Sequence, residues 1–510
     1  MSLLVPLLPA LPMLIPLAAA VLGLVVRSWP GAGRTVGVGG AVAGLGAALA
    51  LAGRVAADGP VACQVGAWPA PFGITLVADE LSVVMVTVSA LMGLAVAVYA
   101  LAEVDADRHR DGFFPLLNVL LAGVQGAFLT GDLFNLYVCF EVMLMASFVL
   151  LALGGERAQL GGAMVYVTLN LVASALFLAA VGVIYGLTSS LNLAELSVRL
   201  PALAAERPGL VAASAMLLLV AFGVKAALFP FYAWLPASYH TPPVAVSAVF
   251  AGLLTKVGVY SLLRVVPLLF GGVAGLGPLL GWTAALTMVF GVLGAVAQHH
   301  VRRVLGFHIV SQIGYMVLGL ALALSATGAV RRLAVAAAVF YVAHHIVVKT
   351  NLFLVSGLIR RLRGTEDLGP LGGLASARPW LALLFAVPAA SLAGIPPLSG
   401  FWAKLGVVRA GLEAGAWWWV GAALAAGLLT LVSMAKIWNE AFWKAPPAPG
   451  EPSGAVPLVM VAPVVVLAAL TVAIGLAPEP LMAFAGRAAD SILDPAAYRA
   501  AVGLTTGGGE

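Results

Sequence analysis

Residues 221–236 read AFGVKAALFPFYAWLP, a run whose one charge is Lys225, five residues before Pro230. An ammonium there has two options. It can snorkel along its own methylenes to a helix end. Or it can stay inside and exchange a proton, since burial disfavours a lysine's charged form and a nearby carboxylate favours it. Glu141, Lys256, Lys349 and Lys404 stand in comparably apolar runs. Each costs about 2.5–3.5 kcal/mol at the middle of a membrane span. Polar contacts between membrane helices return only about 0.6–2 kcal/mol, so helix gluing alone repays little. Depth weighs against snorkelling. Glu141 lies roughly 12 Å past an expected helix start at Leu133, and Lys256 roughly 20 Å into its span.

Polar neighbours extend the set. His345 and Lys349 are four residues apart and share a helix face, with His344 expected to point elsewhere. His308, near Ser311, Gln312 and Tyr315, reads equally as a packing residue or a relay member. Histidine titrates nearest neutral pH. Lys436 is a further candidate. Two runs look broken. One is KAALFP ending at Pro230; the other is GIPPLSGFWAK, with Gly394, Pro396, Pro397 and Gly400 ahead of Lys404. Proline inside a helix removes a hydrogen bond and kinks it. Irregular backbone at membrane depth is tolerated beside protein or water, so hydrated surroundings are expected at each break.

The elements that must hold these side chains follow from composition. Hydrophobic residues make up 62% of the chain and charged ones 9%, against roughly 25% charged in soluble domains. The expected fold is an all-α polytopic membrane protein of about 14 transmembrane helices. The spans run roughly 3–26, 35–56, 81–102, 112–130, 133–153, 160–186, 209–235, 243–269, 275–296, 303–324, 331–359, 377–410, 415–440 and 455–477. Spans four to eight contain Glu141, a broken helix and Lys256; spans nine to thirteen contain His308, a broken helix and Lys436. Five spans offset by five must be inverted relative to each other, an arrangement found in transporters. The expected units are 1–110 (helices 1–3), 111–270 (first repeat), 271–445 (second, inverted repeat) and 446–510 (last helix and tail). Lys and Arg, counting Arg264 in a connection, favour the odd-numbered connections, richest at 360–378. That places both termini outside.

Other chemistry is not signalled. The net charge of +5 is dispersed, without a basic block for nucleic acid. Cys63 and Cys139, far apart in sequence, make no CxxC, no zinc set and no iron–sulfur set. No nucleotide loop, nucleophile motif or metal cluster is seen, so no cofactor and no catalytic or metal residues are expected. The first 26 residues lack a basic leader region and read as a retained helix. Asp132, Asn135, Ser174, Thr255 and Ser311 could ligate sodium, a hard cation that prefers oxygen, but do not converge along the sequence. Small-residue runs such as 41–53 could pack against other subunits.

GDLFNLYVCFEVMLMASFVLLALGG (131–155), GVKAALFPFYAWLPASYHTPPVAVSAVFAGLLTKVGVYSLLR (223–264), GFHIVSQIGYMVLG (306–319) and SLAGIPPLSGFWAK (391–404) resemble the antiporter-like subunits of respiratory complex I and its relatives. The likeness is nearest to the D subunits of Mrp-type multisubunit sodium/proton antiporters and covers about residues 1–480. The resemblance implies a fourteen-helix fold with two inverted five-helix repeats and a hydrated row of charges along the membrane midplane. It makes Glu141 and Lys225 the paired carboxylate and lysine, and Lys256 the connecting lysine. His345 with Lys349 would relay between halves, and Lys404 would end the second half. A lysine at 404 fits the D subunits, whereas one complex I relative carries glutamate there. The implied function is secondary antiport of sodium and protons, driven by the proton motive force, rather than enzymatic catalysis. Implied partners are other membrane subunits, protons, sodium and lipid, in a bacterial plasma membrane. The alternative is a proton-pumping subunit of a complex I or membrane-bound hydrogenase, with redox chemistry in its partners.

Overall fold

The structure, a computed structural model, describes residues 7–29, 31–445 and 455–504. The first residues of the first expected span, 3–6, lie outside them, as do residues 446–454 of the expected 441–454 connection and residues 505–510 of the expected tail.

Helices dominate because each satisfies its own backbone within lipid. In chain order the principal ones are α1 (Leu8–Val25), α2 (Ala32–Asp58), α3 (Glu80–Glu103), α4 (Phe113–Leu129), α5 (Leu133–Ala152), α6 (Arg157–Thr188), α7 (Pro208–Ala226), α8 (Val244–Phe270), α9 (Leu276–Ala297), α10 (Val301–Ser325), α11 (Gly328–Arg363), α12 (Pro379–Ala393), α13 (Ser399–Glu413), α14 (Trp417–Trp443), α15 (Leu458–Leu476) and α16 (Glu479–Leu493). Among the described residues, 12 helical segments are long and apolar enough to cross a membrane. The shorter apolar α4 and α12 take the places of the two other expected spans.

The all-α membrane fold is as expected, with one short addition in a connection. Val61–Gln64 and Thr75–Ala78 form an antiparallel hairpin, β1 and β2, in the connection after α2. This connection lies between spans, where a hairpin can pair backbone groups that no helix holds. The 187–208 connection is likewise ordered, as the helix Leu193–Glu206.

Helix starts are written in the sequence. Asp79, Asp132 and Asn192 cap α3, α5 and Leu193–Glu206, each accepting from a backbone N–H within the first turn. Asp132 takes the Asn135 N–H at 2.7 Å, which accounts for the GDLFN motif.

Burial grades from centre to rim. The apolar window of α8 is 100% buried and that of α11 94%, against 39% for α1, α2, α6, α14 and α15. The charged candidates Lys256, His345 and Lys349 therefore stand on central helices. Gly258 sets one contact: a Cβ there would meet the Ala226 nitrogen at 2.6 Å and the Lys225 carbonyl carbon at 2.9 Å. Glycine lets the backbone of α8 lie directly on the end of α7.

Arg264, counted above with the connections, lies inside α8. Its guanidinium makes a bidentate pair with Asp79, at 2.5 Å and 2.6 Å, and both are buried. Ser491 of α16 donates to the same carboxylate. Burial pushes the Asp79 carboxyl up, but the Arg264 charge and hydrogen bonds hold it below the usual range. The pair's contribution is thus intact above the ordinary carboxylate range and lost only as pH falls through the lowered value. A matching buried pair, Arg302 with Glu366 at 2.7 Å, ties α10 to the segment after α11. Removing one partner strands the other charge, at about 3–5 kcal/mol. Asp79→Ala should therefore lower the unfolding midpoint in detergent sharply, and Asp79→Leu with Arg264→Leu should restore much of it. Equal losses in both would contradict the pairing.

Candidate functional site: a buried row of lysines and histidines

Glu141 and Lys225 come from α5 and α7, and Ser174 of α6 stands between them. The Ser174 hydroxyl makes a short hydrogen bond to Glu141 Oε1 and accepts from Lys225 Nζ at 3.4 Å. The Lys225 ammonium also lies 5.5 Å from the centre of the Phe140 ring, a favourable position for a cation. Lys225 is buried and Glu141 half-buried, toward the outer surface of α5.

Lys256 follows a π-helical turn, Phe250–Leu254, and its ammonium donates to the Ala251 carbonyl of that turn. Gly252, in the same turn, faces Thr350 of α11. Lys349, beside Thr350, donates to the Leu305 carbonyl of α10 at 3.1 Å. His345, one turn earlier on α11, is fully buried, and neither ring nitrogen finds a protein partner. Thr255 Oγ1, Thr350 Oγ1 and His308 Nδ1 are also buried without a partner. Such atoms normally indicate a place for water or another ligand.

Beyond His345 the polar thread continues through aromatic hydroxyls. Tyr341 donates to Gln312 at 2.5 Å and stacks on Tyr315 with centroids 5.3 Å apart. The Lys404 ammonium lies 5.3 Å from the Tyr315 ring centre and donates to the Ala393 carbonyl at 2.9 Å. Lys404, like Glu141, is half-buried. His308 bonds Ser433 of α14 at 2.5 Å. His344, expected to point elsewhere, joins the polar set: it bonds Ser399 at 2.8 Å, and Ser399 meets Ser391 across the second helix break. Lys436 lies at the end of α9. Its ammonium caps α9, on the carbonyls of Val296 and Gln298 at 2.6 Å and 2.5 Å, where the helix dipole favours a cation.

At both breaks, protein groups meet backbone atoms that the helix has released. After α7, Ala227 takes a left-handed conformation, Trp234 Nε1 donates to the freed Val224 carbonyl, and Phe229 N–H donates to Thr287 of α9. After α12, Gly394 is left-handed, Gly400 N–H donates to Ser391 Oγ, and Lys404 takes the Ala393 carbonyl. Pro230, Pro396 and Pro397 face outward. The two lysines also relate differently to their breaks: Lys225 precedes the first, while Lys404 follows the second and bonds into it.

Ser174, Tyr341 and the glycines Gly252 and Gly258 carry no charge and gave no sequence signal as links; their part is visible only in three dimensions. Glu103 is a further buried carboxylate that gave no sequence signal. Its carboxylate accepts the Val244 and Ala245 N–H groups at the start of α8, beside a cavity of about 330 Å³ lined also by Arg108, Glu156 and Arg360. The sodium-ligand candidates do not gather. Asp132 caps α5, Ser311 donates to Met288 O, and Ser174 serves the Glu141–Lys225 pair. No cluster of His, Cys, Asp and Glu suited to a metal occurs among the described residues.

The two most buried helices, α8 and α11, each carry a lysine without an ion-pair partner among the described residues, Lys256 and Lys349. Residues 130–430 match the family described as NADH:quinone oxidoreductase/Mrp antiporter, transmembrane. The D subunit of a Na(+)/H(+) antiporter from Alkalihalophilus pseudofirmus is 45% identical over 88% of this chain and 89% of its own length. Its counterpart from Bacillus subtilis is 37% identical over 96% and 98%. In the solved Mrp complex from Dietzia sp. DQ12-45-1b, one chain matches with a TM-score of 0.89 and 34% identity, covering 98% of this chain and all of that one. The chain belongs to the NADH:quinone oxidoreductase/Mrp antiporter family, on the branch of the antiporter D subunits.

Proposed function

We propose that this chain is a membrane subunit of a multisubunit sodium/proton antiporter and carries the proton path. The path runs from Glu141 through Ser174 to Lys225, on to Lys256, through His345 and Lys349, and by way of Tyr341 and Tyr315 to Lys404. His308 and His344 adjoin its second half. The observation that supports this most is the imbalance of charge. Among the described residues, no carboxylate forms an ion pair with Lys225, Lys256, Lys349 or Lys404, and Glu141 stands at only one end. Like charges close together in a low-dielectric interior repel strongly, so the row cannot hold all its protons at once. Its occupancy shifts as a coupled group rather than site by site.

Glu141 and Lys225 meet at the Ser174 hydroxyl, and a proton that reaches Lys225 passes on toward Lys256 and His345. Lys404 then exchanges with the opposite side. One charge crossing the membrane potential is worth about 2.3 kcal/mol per 100 mV, which can drive sodium outward. The unpartnered atoms of His345, Thr255 and Thr350 are suited to water that would complete the path.

Two inverted five-helix repeats, 111–270 and 271–445, would position the row. In support, Glu141 and His308 are spaced in sequence just as Pro230 and Pro397 are, and as the left-handed Ala227 and Gly394 are. The arginine-rich connections would face the cytoplasm, with both termini outside and the bacterial plasma membrane as host. Sodium's own route lies in partner subunits under this reading.

Everted vesicles bearing the whole complex should lose a preformed pH gradient when sodium is added. An unchanged gradient, with flavin or iron–sulfur subunits co-purifying, would favour the redox-driven alternative. That alternative draws support from the likeness to a chain of the membrane-bound sulfane sulfur reductase complex, at 28% identity and a TM-score of 0.88.

A further inference from the structure

At the arginine-rich end of the molecule, the turn between α1 and α2 meets the segment after α3. They enclose a cavity of about 530 Å³, lined among others by Arg27, Arg34, His109 and Arg110, with one acid, Asp111. Among the described residues, Arg27 and Arg34 make no ion pair and no side-chain hydrogen bond. Arg110 has a loose, exposed contact with Asp107 at 3.6 Å. His109 stacks on Phe114, ring centroids 5.3 Å apart and nearly parallel, and both its ring nitrogens are buried without a partner. Burial, and then the Arg34 charge, hold this imidazole down at about 4, so the ring adds no cation to the arginines at neutral pH.

Arg34 also lines a second, apolar hollow of about 520 Å³ that runs along α2 past Val38, Gly39 and Val42 to Leu101 of α3. Nothing stands within 4 Å of where a Gly39 side chain would be. Val42 and, at the cavity rim, Trp29 are exposed, and tryptophan favours the level of lipid headgroups.

We propose that this is a binding site for an anionic phospholipid. Its phosphodiester would sit among Arg27, Arg34 and Arg110, and one acyl chain would lie in the α2–α3 hollow. Arginine forks match phosphate oxygens, and basic pockets between membrane helices suit anionic headgroups. The apolar hollow opening off the same arginine selects a lipid over free phosphate.

The test is native mass spectrometry of the intact complex after partial delipidation, titrated with cardiolipin, phosphatidylcholine or inorganic phosphate. Cardiolipin adducts should persist, and Arg27→Ala with Arg34→Ala should weaken them by about tenfold or more. Val42→Trp, which fills the hollow and leaves the arginines alone, should weaken cardiolipin too; it keeps the proposal open to test if the arginine variant fails to assemble. Equal retention of cardiolipin and phosphatidylcholine would overturn the proposal. So would competition by inorganic phosphate at matched concentration, or quantitative cross-linking of an Ala43→Cys variant to a neighbouring protein of the complex.

Discussion

Lys225→Ala should abolish sodium-dependent proton movement while the complex still assembles. The ammonium makes one long hydrogen bond, to Ser174 at 3.4 Å, and a ring contact with Phe140. Neither holds the fold together, and deleting a buried cation also removes its desolvation cost. The end of α7 keeps its caps, since Trp234 and Thr287 satisfy the freed backbone without the lysine. Proton transfer loses its first carrier beyond Glu141, and removing a positioned proton-transfer group typically costs about 10²-fold or more. Lys225→Arg should not rescue, because guanidinium stays charged throughout the accessible pH range. Co-purification of the partner chains, read beside vesicle transport, separates loss of transport from loss of assembly.

His345→Leu should have a comparable effect by a different route. The ring is fully buried on α11 between the sides of the molecule that carry Lys256 and Lys404, yet neither nitrogen bonds to protein. Leucine of similar bulk deletes no protein hydrogen bond, and an apolar residue suits the packing. Stability should therefore hold or rise slightly. Proton flux should fall by about 10²-fold or more, since the relay between the two halves loses its group that titrates nearest neutral pH. His344→Leu breaks a real hydrogen bond to Ser399 and should cost stability first, about 1–3 kcal/mol. The neighbouring pair of histidines thus gives an internal control.

Much of this architecture was legible because lipid leaves the backbone few options. Long apolar runs predicted the spans, and Gly394, Pro396 and Pro397 marked a break whose chain does leave the helix between Ala393 and Ser399. The charged row was legible for a related reason: an ionisable side chain far inside an apolar run is costly enough to stand out. What stayed hidden was whatever depends on neighbours distant in sequence. Ser174 bridges two helices with an unremarkable hydroxyl. Arg264 looked like a connection residue because its partner, Asp79, lies five spans earlier, and the hairpin Val61–Gln64 with Thr75–Ala78 is too short for periodicity to reveal. The outward-facing prolines show the same limit. Sequence marks where a helix must stop, whereas the partners of its freed groups, Thr287 and Ser391, come from tertiary packing.

The central claim is one continuous proton path joining both halves of this chain. Its most direct test is the internal pH of proteoliposomes holding the purified complex, followed after a sodium jump, with His345→Leu beside the unaltered chain at equal reconstitution. A path through His345 predicts that the pH change disappears in the variant while the complex stays intact. An unaltered rate of pH change in that variant would contradict it.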